Sequence, residues 1–391
     1  MSAADLDLEQ LLEQLVAIDS RNPDLATASP GERPLADFVA DRLGRSGLEV
    51  TFEPVLGERG NVLAVLPARD SSATVVFEAH LDTVPAEPGT MRLRRDGRRV
   101  YGRGACDTKG SLAAMLGAAH RLAQSNGRRP RIIVAAVCDE EYIMRGGQAL
   151  ARSLPPADAV IVGEPTSLLP ARAHNGFVRL SVTVVGVAAH SSRAELGTNA
   201  INQAAGLILY LDETIGQRLR ASPDPLSGPT PLSATMIEGG TAPNVIPDRC
   251  TVWFDRRVSP SETPQSALDE IRSAVADFSA REAVRVDVAE PLIALGALDT
   301  SAEALAVRAA EQAASTLLGR PVIAGGLGYS TDACCFFDRP DLPAVVLGPG
   351  SIDQAHGEVE WIDLDEVTVA RDIYVELAMN VATLRLEGDG G

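Results

Sequence analysis

The chain has 391 residues and a formal net charge of −18, an acidic balance that repels phosphate backbones, so we expect no nucleic-acid partner. No stretch approaches the ~18 uninterrupted apolar residues of a membrane span, and the N-terminus lacks the basic start and apolar run of a signal peptide. Five cysteines without paired CxxC spacing argue against a disulfide framework or a thiolate zinc site, and favour a cytoplasmic protein with no membrane partner.

The first half of the chain alternates helical patterns with short runs rich in β-branched residues. Helical spacing of apolar residues predicts helices over 5–18, 33–46 and 111–124. Strands are predicted over 48–52, 61–66, 74–78, 131–138 and 159–162. This alternation favours an α/β layer with a parallel or mixed central sheet, and the length favours two domains.

From about residue 178 the pattern changes to strand, helix, two strands, helix and strand, the βαββαβ order of a ferredoxin-like unit. These elements are predicted over 178–187, 199–215, 232–238, 249–258, 262–278 and 284–288. A helix (302–318), a strand (344–347) and a final helix (364–384) then restore the α/β pattern. We therefore predict an α/β catalytic domain of residues 1–177 and 291–391, interrupted by an inserted α+β domain of residues 178–290.

His80 and Asp82 stand directly after the predicted strand 74–78. In an extended chain, residues i and i+2 share a face, so the carboxylate can hold the imidazole while its other ring nitrogen binds a metal ion. For this spacing alone, a surface turn with a polar pair is an equally good interpretation. Asp107 precedes the predicted helix 111–124 in a glycine-rich turn, where an N-cap is the better interpretation in isolation.

Carboxylates and a histidine follow three more strands. Glu140 and Glu141 follow strand 131–138, Glu164 follows the next one, and His356 lies in the loop after the last strand. Acidic residues clustered at the end of a buried strand repel one another unless cations or protons intervene. Adjacent glutamates point in different directions, so one can bind metal while its neighbour handles a proton.

Together these segments supply two sets of nitrogen and oxygen ligands that share one carboxylate: His80, Asp107, Glu141, Glu164 and His356. Such a set predicts a two-metal hydrolytic site with ions ~3.5 to 4 Å apart. Mixed imidazole and carboxylate ligation suits Zn²⁺, which Co²⁺ or Mn²⁺ could replace.

In this order, the segments resemble the zinc-dependent family of acetylornithine deacetylases, succinyl-diaminopimelate desuccinylases, aminoacylases and glutamate carboxypeptidases. The likeness covers nearly the whole chain and is strongest to the acetylornithine deacetylase branch, through residues 163–168 and 347–356. It implies that Asp107 bridges two Zn²⁺ ions, with His80 and Glu164 on one, and Glu141 and His356 on the other. It also implies that Asp82 orients His80 and that Glu140 is the general base.

In the inserted domain, His190 lies in a segment similar to the family's oxyanion-binding histidine segment. Asn244 and Arg257 lie in segments that resemble those gripping the substrate carboxylate. The resemblance further implies a homodimer whose inserted domains pair, so that each subunit contributes His190 to its partner's active site. Ala79 and Ala194 stand where glycine and proline are usual, but neither departure removes a ligand.

The predicted activity is hydrolysis of the amide bond of an N-acyl amino acid. A dipeptidase, a carboxypeptidase or a succinyl-diaminopimelate desuccinylase would use the same chemistry, although Glu164 favours the deacylases because peptidase branches more often carry Asp there. A binding protein that has lost catalysis is disfavoured, since Asp82, Glu140 and all five ligands are present. His120, within an apolar helix, is predicted to be structural.

Overall fold

The structure is a computed structural model that describes residues 6–86 and 92–389. Asp5, where the first predicted helix begins, lies outside the described residues. The chain forms two compact units. Of the described residues, the first unit comprises 6–86, 92–172, 300–325 and 331–389, and the second comprises Ala173–Asp299 and Gly326–Ser330. Among the described residues, none of the helices combines the length and apolar character needed to cross a membrane.

The described residues form both α-helices and β-strands. The helices are α1 (Leu8–Ala17), α2 (Arg33–Arg45), α3 (Gly110–Gln124), α4 (Arg145–Ser153), α5 (Ala200–Leu211), α6 (Gln217–Ala221), α7 (Pro264–Glu282), α8 (Leu305–Leu318) and α9 (Leu364–Asp389). The strands are β1 (Glu49–Leu56), β2 (Arg59–Leu66), β3 (Thr74–His80), β4 (Arg94–Asp96), β5 (Arg99–Tyr101), β6 (Arg131–Val137), β7 (Ala159–Val162), β8 (Ala171–His174), β9 (Gly176–Val185), β10 (Ala189–His190), β11 (Leu232–Gly239), β12 (Val245–Ile246), β13 (Arg249–Val258), β14 (Arg285–Val288), β15 (Ile293–Leu295), β16 (Leu298–Asp299), β17 (Gly325–Leu327), β18 (Ala344–Val346) and β19 (Trp361–Asp363).

Several helices begin at a residue whose side chain caps the first turn. Asp7 accepts a hydrogen bond from the backbone of Gln10 at the start of α1. Thr263 and Ser266 form a capping box before α7, which also has a proline in its first turn. Such caps satisfy backbone N–H groups that have no partner within the helix, and they mark the helix starts in the sequence.

The first unit is built on a mixed sheet with strand order β1-β2-β6-β3-β7-β18. Strands β6, β3, β7 and β18 are parallel, whereas β1 and β2 pair antiparallel at one edge. Almost every residue of β3 and β6 is buried, as expected for parallel strands covered on both faces. The core of this unit includes Leu12 of α1, Phe77 of β3, Met115 of α3 and Tyr374 of α9.

The second unit contains an antiparallel sheet with order β11-β13-β9-β14, and β15 also pairs with β9. Strand β9, helix α5, strands β11 and β13, helix α7 and strand β14 follow one another in β-α-β-β-α-β order. Leu207 of α5 and Ile271 of α7 share one core with Val182 of β9. This unit extends beyond the predicted 178–290 because β15 and β16 pair with strands of the same unit.

The sequence patterns missed two local features of the first unit. Helix α4 carries Gly146 and Gly147 in its first turn, and glycine disfavours a helix by about 1 kcal/mol relative to alanine. The three-stranded sheet β19-β5-β4 consists of strands of three residues, too short for a two-residue period to be recognised.

Candidate metal and catalytic site

The candidate ligands of the first unit follow parallel strands of its mixed sheet. His80 is the last residue of β3, Glu141 stands four residues after β6, and Glu164 stands two residues after β7. Because these strands run parallel, their carboxyl ends meet at one edge of the sheet, where ligand sites of α/β folds normally lie. The sheet therefore brings together side chains that are far apart along the chain.

Asp107 lies between two histidines. Its Oδ1 is 3.0 Å from Nε2 of His80, and its Oδ2 is 3.2 Å from Nε2 of His356. The carboxylate of Asp107 is buried, whereas about half of the His356 side chain is exposed. Each carboxylate oxygen of Asp107 thus faces a different imidazole, which is the arrangement that a ligand shared by two ions requires.

Glu141 and Glu164 each lie close to one of these two histidines. Nε2 of His356 is 3.1 Å from Oε2 of Glu141, and Nε2 of His80 is 3.8 Å from Oε1 of Glu164. His80, Asp107 and Glu141 each offer a ligand atom within 4.8 Å of the others. Within this group His80 is close to Glu164 and His356 is close to Glu141, while Glu141 also lies near His80.

The ionisation of these groups is strongly perturbed. Burial raises the pKa of Glu141 to about 7, and the negative charge of Asp107 adds to that rise. Burial also raises the pKa of Glu164 well above its ordinary value. Hydrogen bonds to Asp107 and Glu141 raise the pKa of His356 to about 10. For Asp107, burial opposes ionisation, but the hydrogen bonds from His356 and His80 outweigh it and lower the pKa.

The donor set fits two divalent ions that share Asp107. Two imidazoles and three carboxylates converge, and the like charges of the carboxylates repel one another unless cations or protons intervene. Nitrogen and oxygen ligands of this kind suit zinc and similar first-row ions. Imidazole must be neutral to act as a ligand, so a bound cation would take the place of a proton on each histidine and would neutralise the carboxylates instead.

Asp82 contacts His80 through its main chain. Nδ1 of His80 is 2.9 Å from the carbonyl oxygen of Asp82, whereas the Asp82 carboxylate is 3.8 Å away. That carboxylate accepts instead from the backbone N–H groups of Glu140 and Glu141, at 3.0 and 3.1 Å. Asp82 thus holds the ring of His80 with its carbonyl group and the turn after β6 with its side chain.

Glu140 stands beside this cluster with its carboxylate uncommitted. Within the described residues, no hydrogen bond to the Glu140 side chain is formed, although its backbone is tied to Asp82. Burial raises the pKa of Glu140 well above its ordinary value, and the neighbouring charge of Glu141 raises it further. A carboxyl group with raised proton affinity and a free oxygen is suited to accept and return a proton.

Behind Asp82 lies a polar network that the sequence patterns did not reveal. The side-chain amide of Asn22 donates to Asp82 (2.8 Å) and to Asp139 (2.9 Å). Asp139 also accepts from Arg59 at 2.8 Å. Asn22 precedes a proline and, in the sequence, indicated only the end of the first helix. Its contact with Asp82 spans 60 residues of chain, so no local pattern marks it.

In the second unit, the structure brings His190 and Asn244 together. Strands β10 and β12 pair His190 with Val245, and the backbone N–H of Ser191 donates to the carbonyl of Asn244 at 3.0 Å. The backbone N–H of Ser192 donates to Nδ1 of His190 at 3.2 Å. Nδ1 therefore accepts from the main chain, which leaves Nε2 of this exposed histidine available to donate.

Arg257 has a different environment from its neighbour Arg256. Arg256 is wholly buried and pairs with Glu262 at 2.9 Å, which is a structural role. Arg257 is partly exposed; its Nε lies 3.0 Å from Asp255 and its Nη1 donates to Ser330 at 2.8 Å. Of the two arginines, only Arg257 keeps part of its guanidinium accessible to a ligand.

Imidazoles and carboxylates gathered at the carboxyl edge of a mixed α/β sheet define a metal-dependent hydrolase. The chain belongs to peptidase family M20/M25/M40, because residues 76–380 match the sequence model of that family. The family resemblance inferred from the motifs is thereby confirmed, and the protein is a metal-dependent peptidase or amidohydrolase of that family.

Individual relatives extend the likeness over nearly the whole chain. An acetylornithine deacetylase of Erwinia tasmaniensis is 29% identical over 378 residues, which cover 94% of this chain and 96% of that enzyme. Aminopeptidase PepT from Bacillus cereus has a similar structure, with a TM-score of 0.76, 22% identity, and coverage of 96% of this chain and 98% of that one. The protein YXEP of Bacillus subtilis, a dinuclear metal binding peptidase, has a TM-score of 0.71 and 18% identity, with 96% and 98% coverage. These two proteins therefore have the same fold as this chain.

Changes at individual histidines test the ligand set. We expect His80→Ala and His356→Ala each to lower the metal content and the activity, because each removes an imidazole that faces Asp107. His120→Ala is the matched control, since His120 lies on α3 and its Nδ1 is hydrogen-bonded to Ser46 (3.1 Å). Metal analysis after dialysis decides the matter, and loss of metal from the His120 variant alone would contradict the assignment.

Proposed function

We propose that the protein is a two-zinc amidohydrolase that removes the acyl group from an N-acyl amino acid. The observation that carries this proposal is the position of Asp107, whose two carboxylate oxygens face His80 and His356 at 3.0 and 3.2 Å. Asp107 would hold both ions, His80 and Glu164 would complete one site, and Glu141 and His356 the other. When bound, such ions lower the pKa of a water molecule and polarise a carbonyl group.

Glu140 is the proposed general base. Its uncommitted carboxylate and raised pKa suit it to take the proton from the attacking water and to return it to the leaving amine. The backbone of the turn that carries it is held by the carboxylate of Asp82. Proton transfer in both directions would thus use one residue.

A cavity of about 540 Å³ beside His356 offers space for a small substrate. Its lining includes Pro85, Ala86, Arg103 and Val359. This volume falls within the range of about 300 to 1,000 Å³ usual for small-molecule sites. It supports a substrate of the size of an acylated amino acid or a dipeptide.

Three residues of the second unit are proposed to bind the substrate. His190 would donate from Nε2 to the oxygen of the tetrahedral intermediate, since its Nδ1 already accepts from the backbone N–H of Ser192. Arg257 and Asn244 would hold the carboxylate of the amino acid. A planar guanidinium can bind a carboxylate through two parallel hydrogen bonds.

We further propose that the protein acts as a homodimer whose inserted domains pair. Strand β11 lies at an edge of the second unit's sheet and is exposed along most of its length. Met236 and Ile237 on this strand are 65% and 55% exposed, and Leu209 of α5 is 71% exposed. An exposed apolar edge strand favours pairing with another chain, since its backbone groups are otherwise unpaired.

The substrate class can be tested with a panel of N-acetyl amino acids, N-succinyl amino acids and dipeptides presented to the zinc-loaded protein. We expect amine release from the N-acyl amino acids, and much weaker hydrolysis of their carboxamides if Arg257 binds the free carboxylate. Preferential cleavage of dipeptides would favour a dipeptidase or carboxypeptidase instead. Preference for N-succinyl substrates would favour a desuccinylase, and binding without turnover would contradict an enzymatic role.

A further inference from the structure

Glu360 is a buried acidic residue to which the proposed mechanism assigns no role. It is only 4% exposed, and both oxygens of its carboxylate are hydrogen-bonded. Oε2 accepts from Nη1 of Arg103 (2.8 Å) and from the backbone N–H of Gly104 (2.9 Å). Oε1 accepts from the backbone N–H groups of Cys106 (2.9 Å) and Asp107 (3.0 Å). All four donors thus belong to the segment of residues 103–107.

The secondary structure fixes the position of Glu360 relative to that segment. Glu360 immediately precedes β19, which pairs antiparallel with β5. Its carbonyl oxygen also accepts from the backbone N–H of Gly102 at 3.1 Å. Gly104 has a left-handed backbone (φ 82°), and a Cβ there would lie 2.6 Å from Cγ2 of Thr83. Glycine therefore allows the turn in which its N–H group points to Glu360.

The carboxylate of Asp107 depends on this turn for its orientation. Asp107 must present one oxygen to His80 and the other to His356, and a small rotation of its main chain would misplace both. Glu360 holds the N–H of Asp107 itself and also stands four residues after His356. One side chain thereby links the segments that carry two of the candidate ligands.

We propose that Glu360 is a positioning residue of the metal centre, which acts by fixing the main chain of Asp107. This inference rests on the two-metal site proposed above. It assigns to Glu360 no contact with an ion or a substrate. Partners that orient a metal ligand in this way typically change metal affinity by about 10- to 100-fold when they are removed.

The test compares Glu360→Gln with Glu360→Asp. Glutamine keeps the size of the side chain but replaces one carboxylate oxygen with an amino group. The two N–H donors that contacted that oxygen would then face another hydrogen-bond donor. We expect Glu360→Gln to bind Zn²⁺ about 10- to 100-fold more weakly in titrations of the metal-free protein. Amide hydrogen exchange of residues 104, 106 and 107 should also be faster in the metal-free state. Aspartate keeps both acceptor oxygens, so Glu360→Asp should lose less affinity for zinc than Glu360→Gln.

Glu358→Gln is the matched control. Glu358 lies two residues away in the same loop and is exposed, and the substitution removes the same charge. We expect its zinc affinity and its amide exchange at residues 104–107 to equal those of the wild type. A similar loss in this variant would attribute the effect to charge alone and would overturn the proposal.

Other outcomes separate the positioning role from a structural one. A folded Glu360→Gln protein with a lower melting temperature but unchanged zinc affinity and unchanged exchange would overturn the proposal. If Glu360→Gln does not fold, Glu360→Asp decides. Its shorter side chain cannot reach all four donors, so zinc binding should still be measurably weaker and exchange faster than in the wild type, and unchanged affinity and exchange would overturn the proposal. A wild-type protein that binds no zinc would contradict the proposed function itself. Preference for dipeptides would change the substrate and leave the inference about Glu360 intact.

Discussion

Replacing Glu140 with glutamine should nearly abolish turnover while the metal content stays at the wild-type level. Each proton transfer by a positioned side chain contributes about 10²- to 10⁴-fold to the rate, and the proposed mechanism uses Glu140 for two such steps. Glutamine has almost the same size but cannot accept a proton. Since the backbone N–H of residue 140 still donates to Asp82, the turn after β6 should keep its conformation.

The measurement combines metal analysis with steady-state kinetics on an N-acetyl amino acid. Loss of kcat with little change in KM would assign the effect to the chemical step. Glu140→Asp retains a carboxylate on a shorter side chain and should recover part of the activity. A Glu140→Gln protein with two ions and near-normal turnover would show that another group is the base.

Replacing His190 with alanine should lower turnover by about 100- to 1,000-fold, the usual effect of removing one oxyanion donor. Metal content should not change, because the ligand candidates all belong to the first unit, whereas His190 is an exposed residue of the second. The contact between Nδ1 and Ser192 leaves Nε2–H as the donor. Alternatively, His190 is only a polar turn residue of the second unit with no part in catalysis. The substitution would then have little effect on the rate.

Mixing two variants of very low activity tests whether His190 acts in the partner's active site. If subunits of His190→Ala and Glu140→Gln exchange, one of the two sites in a mixed dimer receives an intact Glu140 and an intact His190. Part of the activity should then return, and His120→Ala mixed with Glu140→Gln serves as a control for exchange with an active subunit. Confirmed subunit exchange without any recovery of activity would contradict the cross-subunit role.

Local patterns predicted the long elements well and the short ones poorly. The apolar runs that became β3, β6 and β7 were recognised because each carries a continuous buried stretch bounded by polar residues. Strands β5 and β19 were missed, because each has three residues and they pair across more than half of the chain. Pairing between distant segments leaves no periodic signal in either of them.

The candidate site divides in a similar way. The five candidate ligands could be chosen from the sequence because three follow closely on predicted strands, Asp107 precedes a predicted helix and His356 lies in the loop after the last strand. The parallel sheet brings the strand ends together. For Asp82 the sequence suggested a contact between its carboxylate and His80, whereas in the structure its carbonyl oxygen makes the close contact. A spacing of two residues identifies the pair but does not distinguish the main chain of the second residue from its side chain.

By itself, the sequence determined the family, the α/β order of the elements and the residue types available for a metal-dependent hydrolase. These properties follow from local spacing and from motifs that keep their order along the chain. Only the tertiary structure decided how the site is held. Asn22 reaches Asp82 across 60 residues, and Arg103 reaches Glu360 across 257. Such contacts form because folding buries polar groups that must then find partners, and the partner is chosen by proximity in space rather than in sequence.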